Sequence, residues 1–399
     1  MKAEAVKNPR PAGRKGRLRA TMKGSENPAQ RIGGARRIVV KIGSSLIIDP
    51  AGGPREDWLA SLAEDLAALH QAGKQIILVS SGAVALGRLK LGLGRSARLD
   101  HKQAAAAAGQ AVLMQAWDRA FAPHGLPTAQ LLLTFEDTER RRRWLNARAT
   151  LSVLLARRAL PVINENDSVA TDELRYGDND RLSARVSQMV RADLLVLLSD
   201  VDGLHSSDPA RDPGAKHIPF VADLTAEILA FAGDAAALGF GSGGMRTKLA
   251  AARIASNAGC ATIIGSGREH HPIRALLDGA KATIVAAHGT PARAYKQWIA
   301  GALAPAGTLT VDAGAAAALA AGKSLLPAGV VAVAGAFERG SCLSIRTQDG
   351  AEIARGISAY NSAEAEAIAG GASRDIEARL GYRGPDELIH RDDMAMVGA

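Results

Sequence analysis

Short apolar runs rich in β-branched residues alternate along the chain with longer stretches in which leucine or alanine recurs every three to four positions. Arg37-Ile38-Val39-Val40-Lys41-Ile42 reads as a buried strand, closed by the small residues Gly43-Ser44-Ser45. Residues 56–72 set Leu59, Leu62, Leu66 and Leu69 on one stripe, with Gly73 as a stop, and predict an amphipathic helix. The alternation continues with strands at 75–80, 127–133, 160–164, 194–198 and 261–264, and with helices near 102–122, 145–158, 181–191 and 245–258. Parallel neighbours need crossover connections and helices supply them, so this order predicts a mostly parallel sheet covered on both faces. The expected unit is a three-layer α/β domain over residues 36–290.

After Pro291 the periodicity changes. Gly and Pro punctuate short β-prone runs at 308–311, 330–334, 342–347 and 351–354, with helical stretches at 315–321 and 363–368. These predict a small β-rich domain over 305–385, joined to the first by a connector at 291–304. A length of 399 residues accommodates both, and a composition 47% hydrophobic but only 4% aromatic predicts an aliphatic core.

The net charge of +9 raises the question of a polyanionic partner. Much of it sits between Lys2 and Arg37 among Pro and Gly, so residues 1–35 read as a basic disordered extension, with a targeting or RNA-binding arm as the alternative. Cys260 and Cys342 are too isolated for a disulfide framework or a zinc site. No apolar run reaches the roughly 18–20 residues of a membrane span, and no secretory signal opens the chain. The expected location is cytoplasmic, away from the membrane.

Ligands of open parallel sheets bind beyond the carboxyl ends of the strands. There, Lys41 beside Gly43 and Ser44 suits a phosphate, although a plain strand–helix turn has the same letters. Ser81, in Ser80-Ser81-Gly82-Ala83-Val84, suits a carboxylate. Asn164-Glu165-Asn166-Asp167 and Gly177-Asp178-Asn179-Asp180 gather amides and acids at the same edge, where Asp180 reads either as a helix cap or as a site residue. Ser199-Asp200 follows the most apolar strand. The segment Ser242-Gly243-Gly244-Met245-Arg246-Thr247-Lys248 opens a helix, with glycines before its N-terminus and a lysine on its first turn, an anion-site arrangement. Two look-alikes fail. Gly239 to Gly244 has the letters of a dinucleotide fingerprint but follows a helical pattern, and Gly322-Lys323-Ser324 lacks the Walker spacing. His70, His101, His270 and His271 lack ligand spacing and read as surface or turn residues.

The ordered motifs KIGSS, SSGAVALG, NARATL, PVINENDSVATDE, GDND, LLSDVDGL and GSGGMRTK resemble those of the glutamate 5-kinases of the amino acid kinase superfamily. The region from Gly307 to Gly371 resembles the PUA domain that many bacterial members carry. The resemblance implies an amino acid kinase fold with a PUA-like tail and ATP-dependent phosphorylation of the L-glutamate side-chain carboxylate, the first step of proline biosynthesis. It implies Lys41 and Lys248 as catalytic residues and Ser81, Asp167 and Asn179 as glutamate-binding residues. Lys41, Gly43, Ser44, Ser199, Asp200 and Ser242 to Lys248 would bind ATP, with Mg²⁺ as cofactor and Asp178 and Asp180 as candidate ligands. Proline as feedback inhibitor, a homo-oligomer and hand-over to glutamate-5-semialdehyde dehydrogenase are further implications. Other kinases of the superfamily, and RNA binding through the tail, are the alternatives; aromatic residues are sparse in the tail, which argues against nucleic acid.

Overall fold

In a computed structural model of the chain, residues 27–49, 51–94, 98–169, 179–232, 244–301 and 304–397 are described. Ten strands belong to the first unit: β1 (Arg37–Ile42), β2 (Gln75–Ser80), β3 (Thr128–Leu133), β4 (Leu160–Glu165), β5 (Leu194–Ser199), β6 (Leu204–His205), β7 (His217–Ile218), β8 (Phe220–Val221), β9 (Ala261–Ser266) and β10 (Ala282–Val285). β6 and β7 pair with each other, and the rest form one sheet in the order β3-β4-β2-β1-β5-β9-β10-β8. All neighbours in that sheet run parallel except β9 and β10. From β1 the chain builds outward through β2 on one side and through β5 on the other, so the crevice between their ends is a topological switch point.

The helices are α1 (Pro28–Gly34), α2 (Ser44–Ile47), α3 (Glu56–Gln71), α4 (Ala83–Leu91), α5 (Leu99–Phe121), α6 (Phe135–Glu139), α7 (Arg141–Ala156), α8 (Asn179–Val190), α9 (Ala226–Ala230), α10 (Met245–Asn257), α11 (Pro272–Leu277) and α12 (Pro291–Gly301). Successive side chains of a strand point to opposite faces. Ile38, Val40 and Ile42 accordingly pack with Leu62 and Leu66 of α3, Leu113 and Trp117 of α5 and Ile273 of α11. Val39, Ile77, Leu195 and Leu197 pack with α7, α8 and α10 on the other face. Lys41 shares the parity of Val39, which directs it towards α8 and α10.

The second unit has β11 (Gly307–Val311), β12 (Val330–Ala334), β13 (Cys342–Thr347), β14 (Glu352–Ile357) and β15 (Met394–Met396), in the order β12-β11-β13-β14-β15. Helices α13 (Ala313–Ala320), α14 (Ser362–Ile368) and α15 (Ile376–Leu380) complete it around a core of its own that includes Leu309, Leu343, Ile345 and Tyr360.

Several expectations need correction. Residues 27–35 are not part of a disordered extension: Asn27 and Gln30 form a reciprocal capping box on α1, and Ile32 is buried. Basic composition masked that local signal; residues 1–26 lie outside the described ones. The connector contains helix α12, and the second unit runs past residue 385 because β15, too short to show a periodicity, pairs with β14. His70 is buried and contacts Arg158 rather than lying on the surface.

The two units share a seam. Trp144 of α7 stacks with Tyr295 and lies tilted against Trp298 of α12, and Arg148 and Arg191 lie over the Tyr295 ring. Asp393 accepts from Arg148 at 2.7 Å, Arg191 at 2.9 Å and the Tyr295 hydroxyl at 3.1 Å. Cys342, Ile357 and Ala395 of the second unit join the apolar cluster of α7, α8 and α10.

Candidate active site

β1, β2, β4 and β5 are parallel and adjacent, so their carboxyl ends bring Lys41, Ser81, Asn164 and Ser199 to one edge. Helices α8 and α10 begin at that edge. The Lys41 ammonium meets the Asp180 carboxylate at 2.5 Å, Lys248 lies 3.5 Å from its other oxygen, and the Thr247 hydroxyl donates to that second oxygen at 2.7 Å. Lys41, Lys248 and Asp180 are only 7%, 3% and 1% exposed, so these charges act on one another with little solvent screening. Burial alone would raise the Asp180 carboxyl, but the two ammoniums hold it below the usual carboxylate range. Burial lowers Lys248, and the like charge of Lys41 adds to this while Asp180 opposes it. Two cations share one anion, so the cluster keeps one net positive charge out of water.

This arrangement changes the reading of Asp180. It is more than a plain helix cap, because both carboxylate oxygens serve the lysines and Thr247. Asp178 lies outside the described residues, and among those described no group of three His, Cys, Asp or Glu side chains could hold a metal.

Beside the charged cluster lies a buried amide chain. Asn179 Nδ2 donates to Ser81 Oγ at 2.7 Å and to Asn164 Oδ1 at 3.1 Å, with the Ser80 carbonyl at 3.4 Å. Asn164 Nδ2 in turn donates to Gln110 Oε1 at 2.8 Å. The amide hydrogens of Asn179 are therefore used within the protein, and the group it has to offer a ligand is its acceptor Oδ1. Asp167, in the turn after β4, is half-buried with no basic side chain paired to it among the described residues. Burial pushes its carboxyl up to about 6, with no cation among the described residues to offset it.

The remaining candidates are placed unevenly. Gly43 N–H is tied to the Leu198 carbonyl at 3.2 Å, so it is not among the amides available to a phosphate. Ser44 opens the single turn of α2, and such first amides lack intrahelical acceptors. Ser199 is buried at the end of β5, while Asp200 is exposed yet near enough to raise Lys248. Gly244 caps α10, Met245 and Arg246 begin it, and Lys248 lies on its first turn; Ser242 and Gly243 fall outside the described residues. Gln110 was missed at the sequence level. Its signal was a single amide on the otherwise apolar stripe Ala106, Gln110, Leu113 and Trp117, all buried.

The model of the amino acid kinase family matches residues 36–266, and that of the PUA domain matches residues 307–380. The glutamate 5-kinase of Caulobacter vibrioides is 58% identical over 367 residues, covering 91% of this chain and 97% of that one. The glutamate 5-kinase of Paramagnetospirillum magneticum is 55% identical over 365 residues, covering 91% and 98%. Glutamate 5-kinase 1 of Mesorhizobium japonicum is 57% identical over 365 residues, covering 91% and 96%. Among solved structures, the UMP kinase of Ureaplasma parvum aligns at a TM-score of 0.43 and 15% identity, over 63% of this chain and 98% of its own.

Proposed function

The chain belongs to the glutamate 5-kinases of the amino acid kinase family, and on that premise we propose how its residues divide the work of moving a phosphoryl group from ATP to the side-chain carboxylate of L-glutamate, the first step of proline biosynthesis. The observation that carries this division is the junction at the start of α8. Asn179 belongs to the amide chain and its neighbour Asp180 to the lysine cluster, so one rigid helix start holds the acceptor pocket against the phosphoryl pocket.

The glutamate side chain has a reference pKa of ~4.3 and is already ionised at neutral pH, so no general base is needed. The obstacle is repulsion. Two unit charges about 4 Å apart repel by about 1 kcal/mol in water, and by more once water is excluded. The net positive charge of Lys41, Lys248 and Asp180 offsets this, with the lysines placed against the transferring phosphoryl and Asp180 keeping them together. Asp167 and Asn179 Oδ1 take the α-ammonium, and Ser81 donates to a carboxylate. With Asp180 committed to the lysines, Mg²⁺ comes in on the phosphates of ATP, which suits an ion that gives up its water reluctantly.

Proline has the same α-carboxylate and a ring ammonium, which favours its competing as an inhibitor in this pocket. β3 is the last strand on one side of the sheet and carries the exposed Leu132, a surface suited to a second copy. The product is a labile acyl phosphate, which favours hand-over to glutamate-5-semialdehyde dehydrogenase. No helix among the described residues is long and apolar enough to cross a membrane, and we place the enzyme in the cytoplasm. In the second unit Phe337 and Tyr360 are buried and only Tyr382 is exposed, which speaks against a base-stacking platform and for a structural role. Trapping the product with hydroxylamine across glutamate, aspartate and N-acetylglutamate, with and without proline, tests the assignment. A hydroxamate from glutamate alone is expected; turnover of another acceptor in its place would refute it.

A further inference from the structure

We propose that Gln110 is a positioning residue that fixes which end of the Asn179 amide faces the substrate, and thereby makes the pocket select an acceptor carrying an α-ammonium. The proposal rests on the reading of this pocket as the glutamate site and deepens it.

The polarity of the amide chain can be traced from one group that cannot be reversed. The backbone N–H of Glu165 donates to Asn164 Oδ1 at 2.9 Å, and a backbone N–H only donates. The oxygen end of Asn164 is thereby fixed, and its NH2 end must lie towards Gln110. Gln110 must then present an acceptor there, as its Oε1 does at 2.8 Å. Asn164 Oδ1 also receives Asn179 Nδ2 at 3.1 Å, and the same nitrogen donates to Ser81 Oγ at 2.7 Å. Asn179 Oδ1 remains, buried and without a partner among the described residues. Ser81, having accepted from Asn179, keeps its own proton to donate. The wall of the pocket is sorted as a result: Asn179 Oδ1 and Asp167 accept, and Ser81 donates. An amino acid matches that order through its ammonium and carboxylate. A dicarboxylate without the amine leaves two buried acceptors unmatched, a mismatch that proteins discriminate strongly.

Gln110 is held to this task by the fold. α5 crosses α4 so closely that a Cβ on Gly109 would sit 1.8 Å from the Ala83 carbonyl oxygen, and one on Gly87 would sit 1.7 Å from that of Ala105. α4 starts two residues after Ser81, so the crossing sets Gln110, next to Gly109, at a fixed distance from the hydroxyl that ends the chain. Without an acceptor at 110, the buried NH2 of Asn164 has no partner and only the Glu165 N–H still holds the oxygen end in place; a turn that gives up that bond brings the NH2 to Asn179. Asn179 then turns its own NH2 to the ammonium, donor against donor.

Gln110 Nε2 has no partner among the described residues, so Gln110→Glu keeps the acceptor and forfeits no hydrogen bond there, whereas Gln110→Met keeps the shape and removes the acceptor. Steady-state kinetics of wild type and both variants with glutamate, and with glutarate as the acceptor lacking the amine, separate the possibilities. Gln110→Met is expected to raise the glutamate KM about tenfold or more, with kcat and the KM for ATP changed far less. Its preference for glutamate over glutarate should fall by a similar factor, while Gln110→Glu keeps that preference. Should Gln110→Met fail to fold, Asn164→Asp serves instead: its two oxygens both accept, Gln110 turns its NH2 inward, and Asn179 keeps its orientation and the glutamate preference. Equal losses for both substrates, a larger loss of preference in Gln110→Glu than in Gln110→Met, or a lost preference in folded Asn164→Asp would overturn the proposal. A wild-type protein that forms no glutamyl hydroxamate would instead refute the site reading beneath it, before any variant is compared.

Discussion

Replacing Asp167 with asparagine removes a half-buried charge that no basic side chain among the described residues pairs with and that, on the proposed reading, the substrate ammonium stabilises. Burial lifts this carboxyl from an ordinary 3.8 to about 6, roughly two units at ~1.4 kcal/mol each. The side chain keeps partial contact with water, so about 2 kcal/mol is the figure to expect after screening. A carboxyl whose folded pKa lies above its unfolded value destabilises the fold only when ionised. The penalty is absent below 3.8, grows as the pH rises, and is complete above about 6. Asp167→Asn should therefore unfold about 4–8 °C higher than wild type at neutral pH, with the gain nearly gone by about pH 4. Calorimetric titration should show glutamate affinity weakened about 10–100-fold with ATP affinity nearly intact. Wild-type glutamate affinity should itself decline as the pH falls through about 6, and the variant should lack that dependence. A variant no more stable than wild type at neutral pH, or a gain that is the same at both pH values, would show that Asp167 is not a strained, unpaired charge.

Lys41→Met and Lys248→Met should each lower kcat about 10²–10³-fold while changing the glutamate KM much less, in a coupled ADP-release assay; an unchanged kcat would remove that lysine from the mechanism. Gly109→Ala places its methyl 1.8 Å from the Ala83 carbonyl oxygen, and should cost about 1–3 kcal/mol of stability and raise the glutamate KM, both absent if the helices simply part. Asp393→Asn leaves Arg148 and Arg191 without their shared anion. About 2–4 kcal/mol of stability should be lost, and scanning calorimetry should resolve separate transitions for the two units, in contrast to a single shifted transition if the seam does not depend on this contact.

Strand and helix order could be read from periodicity because the sheet is buried on both faces and its strands are uninterrupted β-branched runs. Lys41 was recognisable for the same reason: a cation in such a run needs an explanation. What Asp180 does was not recognisable, since a carboxylate opening a helix serves equally as a cap, and only the parity of β1 and the packing of α8 on α10 bring Lys41 and Lys248 to it. Asn179 connects to Gln110, 69 positions away, through Asn164, and no local pattern carries a contact over that separation. β15 and the Asp393 contacts escaped for a related reason, being too short to show a period and stabilised by groups from α7, from Arg191 just past α8, and from α12.

The stacked rings between the two units have a practical corollary. Of the four tryptophans, Trp58 and Trp117 lie deep in the first unit's core, whereas Trp144 and Trp298 lie one against the other where the units meet, with Arg148 over the first and Arg141 over the second. Prising the units apart would wet half of the protein's indoles and leave the other half dry. Their ultraviolet emission, followed with Trp58 and Trp117 as an internal standard, offers a label-free optical gauge of docking.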